Sequence, residues 1–156
     1  MHTLHQNAAM EVVLDATDIG GTAATSKYLD MRDFGAVDFV VTLGTTLEGT
    51  PDGWDAADKL DTFQVLQATS AAGADAKAIA GAGDTSITPT TGTAADTYVI
   101  TVHAAALDHA NLFRYVAAKV EEDDNTGVDT VTLVGIRYHP RYAHDDLTSA
   151  YHAVAG

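Results

Sequence analysis

The run DTYVITVHAAALDHANLFRYVAAKVEEDDNTGVDTVTLVGIRYHPRY, residues 96–142, constrains the fold of this chain more than any other stretch. It holds three apolar segments in succession, separated by turn chemistry. In the first, Tyr98, Ile100, Val102 and Ala104 fall on one side of a period-two pattern, with Val99, Thr101 and His103 on the other, which marks a strand. Residues 112–120 and 131–138 are rich in β-branched and aromatic side chains, and the acidic, Gly-containing EEDDNTGVD between them suits a hairpin connection. No apolar stripe recurs at helical spacing over ten or more residues, and no solenoid or propeller period is present. A sheet core in residues 96–142 is the expectation.

The two-residue period returns upstream. In residues 9–15, Met10, Val12 and Leu14 alternate with Glu11, Val13 and Asp15, as in a half-buried strand that ends at the turn-rich ATDIGGTAAT. Residues 26–32, SKYLDMR, read as a short edge strand whose Lys27 and Arg32 discourage unwanted pairing. Val37, Phe39, Val41 and Leu43 form a core-facing row opposite Asp38, Val40 and Thr42, and Phe63, Val65 and Gln67 oppose Gln64 and Leu66 in residues 61–69. Residues 45–61, with one Pro, two Gly and the only Trp, read as a long surface loop with a turn of helix near 55–59. Residues 70–95 are poor in large apolar side chains and are expected to loop, with a brief helix at 74–80, a short strand at 86–89 and little core. Pro140 is expected to stop the last strand. The organisation that follows is an N-terminal arm (1–8), a single β-sandwich or jelly-roll-like domain (9–142) and an extended C-terminal tail (143–156).

A chain of 156 residues can bury a core unaided, which matters because there is no cysteine and therefore neither a disulfide nor a thiolate metal site. Its 22 acidic and 8 basic residues give a formal charge of −14, which opposes binding to nucleic-acid phosphates and to anionic membranes. No apolar run approaches the roughly 20 residues that span a bilayer. The N-terminus lacks the basic start and apolar stretch of a signal peptide, so the chain is expected to stay where it is made.

Candidate ligand sets are weak. Asp123, Asn125, Gly127 and Asp129 approximate an oxygen-rich cation loop, but its twelfth position is Val134 where a bidentate Glu is needed, so an acidic turn is the simpler reading. Asp52, Asp55, Asp58 and Asp61 recur every three residues in a loop where solvated charge is the commoner outcome. His139, His144 and His152 lie near Asp145 and Asp146 at spacings that fit no metal pattern, while His103 and His109, flanking AAALD, read as strand-face and turn residues. There is no G-x-S-x-G elbow and no recognisable triad, and GGT at 20–22 and GAGD at 81–84 lack the Lys and helix of a phosphate loop. No catalytic, cofactor-binding or metal-binding residue is assigned, and a non-enzymatic role is the expectation.

Four segments in order, SKYLDMRDFGAVDFVVTLGTT (26–46), FQVLQATSAAGADAKAIAG (63–81), ALDHANLFRYVAAKV (106–120) and HPRY (139–142), resemble small virion proteins of tailed bacteriophages and prophages. Those proteins carry a "kY-D-M" segment, a "F-V-L-G" strand, a "QAT-A-GA-AK" segment, an "ELD-NGFRYV" strand and a closing "DPRY". This chain departs at His139, where the family has Asp, at Asn111-Leu112, where it has Asn-Gly, and in a longer 45–61 loop. The resemblance implies a capsid decoration or cement protein, made in the host bacterial cytoplasm and carried on the capsid surface. Its implied partners are the major capsid protein and further copies of itself, as a homotrimer, with no nucleic acid, membrane or cofactor. Alternatives are a head-tail connector or tail component, a glycan- or receptor-binding module built on Trp54 and the aspartates of its loop, and a metal-dependent hydrolase.

Overall fold

The computed structural model describes residues 8–44, 60–87, 97–122 and 130–140. They form nine strands: β1 (Ala8–Asp18), β2 (Ala24–Thr25), β3 (Leu29–Asp30), β4 (Phe34–Leu43), β5 (Leu60–Ala68), β6 (Lys77–Ile87), β7 (Thr97–His103), β8 (Tyr115–Glu122) and β9 (Thr130–Pro140). Two short 3-10 turns, Ala104–Ala106 and His109–Asn111, link β7 to β8.

All pairings are antiparallel, and they nest. β5 pairs with β6, β4 with β7, β2 and β3 with β8, and β1 with β9. The chain is thus one long ribbon folded back at β5–β6. Rolling that ribbon sets β4 beside β9 and β5 beside β8. The result is a first sheet in the order β1-β9-β4-β7 and a second in the order β2-β8-β5-β6, with β3 also on β8. This winding is a jelly roll, the more specific of the two architectures expected from the strand spacing.

The alternation in β4 decides which side faces the core. Val37, Phe39, Val41 and Leu43 are buried between the sheets, where they meet Phe63, Val65, Val116 and Val120 from the second sheet. Gly135, opposite Phe39 on β9, leaves room for Leu29 to cross from the other sheet, since a Cβ at Gly135 would collide with Leu29 Cδ1.

Several expectations need correction. The acidic stretch after β8 does not close a hairpin, because β8 and β9 belong to different sheets. β9 lies between β1 and β4 and so forms two ladders, where a hairpin with β8 would give it one neighbour at the cost of that central place. Residues 70–87, the described part of 70–95, are not mainly loop: the segment expected as a helix at 74–80 leads into β6, which pairs with β5 and buries Ile79 and Ala82. Its small residues are required by closeness. A Cβ at Gly83 would stand 3.0 Å from the backbone of Phe63 and Gln64, and Gly81 takes φ +77 inside an irregular stretch of the pairing.

Three boundaries shift. The strand expected from residue 112 begins at Tyr115, because Leu112 (φ 63) closes the second 3-10 turn. Of the edge strand expected at 26–32 only β3, Leu29–Asp30, is strand; β2 ends before it at Thr25, and at Ser26 the side chain takes over one of the two bonds to Ala118. β1 starts at Ala8, one residue inside the supposed arm, and its buried members are Ala8 and Val13, while Met10 and Val12 face outward. Residues 1–7, the loop at 45–59 with Trp54, the 123–129 turn and the 143–156 tail lie outside the described residues.

Candidate functional site

Two surfaces could engage another molecule. The first is a depression of about 420 Å³ at one end of the sandwich. Met31, Leu107 and Phe113, all buried, form its apolar base, and Arg32, Arg114, His109 and Leu112 stand around it. Its walls are held by a network of local bonds. The Gln67 side chain accepts the Asp108 backbone N–H at 2.8 Å, while Lys77 Nζ and Asn111 Nδ2 donate to Asp108 Oδ2 at 2.6 and 2.9 Å. These donors hold the Asp108 carboxyl below the usual carboxylate range, Lys77 contributing most. Lys77 Nζ also stands 4.2 Å from the centre of the Phe113 ring.

The cations of this end are already committed. Arg114 pairs with Asp30 at 3.0 Å and donates to the Tyr115 hydroxyl, Arg32 lies 3.5 Å from Asp33, and Arg137 donates to the Asp30 carbonyl while stacking over Phe34. A rim in which each cation meets a carboxylate or carbonyl is near neutral and favours no anion strongly. His109 Nε2 contacts the Ala104 carbonyl at 2.7 Å, which fixes the turn. Among the described residues no nucleophile and base converge here.

The second surface is the outer face of the first sheet. Strand register places four rows across it. Val12, Val134, Val40 and Val99 lie side by side on β1, β9, β4 and β7, a row of one residue type from edge to edge. Met10, Ile136, Asp38 and Thr101 form the next row, flanked by Thr132, Thr42 and Thr97 on one side and by Ala8, Tyr138, Ala36 and His103 on the other. Met10, Val12 and Val99 are 67%, 55% and 56% exposed, three of the four large apolar side chains most open to solvent among the described residues.

Four polar side chains of this face are bonded within the sheet. Asp38 Oδ1 accepts from Thr101 Oγ1 at 2.7 Å and from the Tyr138 hydroxyl at 2.9 Å, and Thr132 Oγ1 accepts the Ala16 N–H. Burial, and next the bond to Asp38, push the Tyr138 hydroxyl pKa upward. The outer face of the second sheet differs: its matching rows carry Thr25, Lys119, Gln64, Glu121 and Thr62, with a Lys119–Glu121 ion pair at 2.7 Å.

His103 and His109 lie at a strand end and in a 3-10 turn, as read from the sequence, and His139 is exposed, with its ring against Tyr138. The structure brings no group of three or more His, Asp or Glu together for a metal ion among the described residues. Of the aspartates at three-residue spacing only Asp61 is described, exposed on β5. Among those residues no helix is long and apolar enough to cross a membrane. The valine row was within reach of the sequence, since Val40 and Val99 sit on the outward phase of their strands, but its continuity depends on register between residues as distant in sequence as Val12 and Val134.

No protein-family model matches the chain, and no curated protein matches it.

Proposed function

We propose that this protein is a virion structural component, a decoration or cement protein that binds the outside of an assembled phage head and bridges its major capsid protein subunits. The observation that carries the reading is the set of four segments, in order over residues 26–142, that resemble small virion proteins of tailed phages. The jelly-roll winding is a framework used by viral coat domains, although a fold alone assigns no function. The valine row with Met10 and Ile136 on the outer face of the first sheet gives such a protein an apolar strip to bury.

The mechanism is mass action. A protein that binds the assembled shell and not its separated subunits lowers the free energy of the assembled state by an amount set by its concentration relative to its dissociation constant. Self-association as a homotrimer suits a three-fold position on a shell, where one rigid unit touches several equivalent subunits. Synthesis in the host bacterial cytoplasm and residence on the capsid surface belong to the same reading, with neither nucleic acid nor membrane as partner. The test is heat release of DNA from heads with and without the chain. Heads lacking it should open at lower temperature and recover when purified protein is added; equal thermal release in both would count against the proposal.

A further inference from the structure

We infer that the outer face of the first sheet seats a second copy of this chain, with the Val12–Val134–Val40–Val99 row at the centre of the contact. The inference rests on the self-association included in the reading above and adds the surface responsible; it requires no capsid.

Charge selects the occupant. With a net −14 on the chain, two copies that approach through most of their surface bring carboxylates together. Within these four rows the one described carboxylate is Asp38, already bonded by Thr101 and Tyr138, and the other members are Val, Met, Ile, Thr, Tyr, Ala and His; the exposed Asp18, opposite Thr130, stands one row beyond the threonines. Like copies that meet over these rows bring in one carboxylate each, Asp38, whose Oδ1 already accepts two hydrogen bonds from neutral hydroxyls. The second sheet offers no equivalent, because Lys119 and Glu121 stand on its outer rows.

Area is sufficient. Strands about 4.8 Å apart and same-face residues about 6.8 Å apart make four strands and four rows roughly 500 Å² in projection. A contact covering it on both partners buries on the order of 1,000 Å², the size at which a specific interface becomes plausible and still reversible.

The row also reaches both edges of the sheet, with its most exposed members, Val12 and Val99, at opposite ends. Three copies around a three-fold axis, each turning this face inward, set the β1 side of one against the β7 side of the next, a head-to-tail contact that closes. Val12 of each copy then neighbours Val99 of another.

The test is the mass of the purified full chain by light scattering across a dilution series, for the wild type and for Val12→Glu with Val99→Glu. Both positions are exposed on edge strands, so the variant should fold, as its circular dichroism and melting will report. The expected result is a concentration-dependent oligomer for the wild type and a monomer for the variant. A mass of three chains agrees with the three-fold arrangement; a mass of two keeps the surface and overturns that arrangement. A wild type that stays monomeric overturns the inference and points to another protein, or another part of this chain, as the cover. An oligomer that survives both substitutions overturns it as well. Should the variant misfold, methyl NMR of the wild type on dilution decides: shifts must centre on Val12, Val40, Val99 and Val134, and shifts elsewhere overturn it. A monomer that still decorates heads would sink this surface and leave the virion role standing, whereas an oligomer absent from heads would do the reverse.

Discussion

Ser26 ties the first edge of the second sheet to β8 with two bonds and braces its own segment with a third. Its N–H donates to the Ala118 carbonyl at 2.8 Å, its Oγ accepts the Ala118 N–H at 3.0 Å, and its hydroxyl donates to the Lys27 carbonyl at 3.1 Å. Because Ser26 is buried, Ser26→Ala leaves the Ala118 N–H without its acceptor and should cost about 1–3 kcal/mol. Urea denaturation measures this, and a change below about 0.5 kcal/mol, the range of an ordinary surface substitution, would contradict the assignment. Asp108 gives a second test. Its folded pKa is depressed, chiefly by Lys77, so its contribution to stability is present above the ordinary carboxylate pKa and is lost as pH falls through the lowered value. In Lys77→Ala the Asp108 carboxyl should titrate closer to its ordinary value by NMR; an unchanged titration would assign the shift to Asn111 alone.

Among the elements, β4 was the most legible. Strict alternation over Val37, Phe39, Val41 and Leu43 reports one buried face directly, and the structure buries all four. β6 was the least legible, because its sequence, KAIAGAGDTSI, is chosen for closeness to β5 and not for hydrophobicity. Ala and Gly carry low strand propensity, yet a small residue is what fits where Gly83 faces the Phe63 and Gln64 backbone. Gly83→Val should therefore push β6 off β5 and lower stability by about 1–3 kcal/mol, the cost typical of overpacking. Accelerated amide exchange in β5 and β6 would register it, and unchanged exchange would show that the ladder tolerates the side chain. In β1 the alternation was visible but its interruption was not: Met10 and Val12 pair with Ile136 and Val134 on the outer side, Val13 turns inward, and a register shift between Val12 and Leu14 brings Leu14 against the core as well.

For the whole molecule, local patterns specified strands and a sandwich, while the order of strands was set by contacts between distant residues. Ala8 pairs with Tyr138, and Phe34 with Pro140, so the outermost turn of the roll closes only when both ends of the domain are present. The acidic stretch after β8 looked like a hairpin for that reason: adjacency in sequence was the only neighbour relation visible, and β9 takes its place between β1 and β4. The outer face of the first sheet was hidden in the same way, since no single strand contains more than one or two members of any row. Function depends on this scale too, because a protein that cements a shell must be present wherever the shell repeats. The most direct measurement is therefore the copy number of this chain in purified virions relative to the major capsid protein, by quantitative mass spectrometry. The decoration reading expects a ratio near one to one; a chain absent from the particles, or confined to a few copies at the neck or tail, would contradict it.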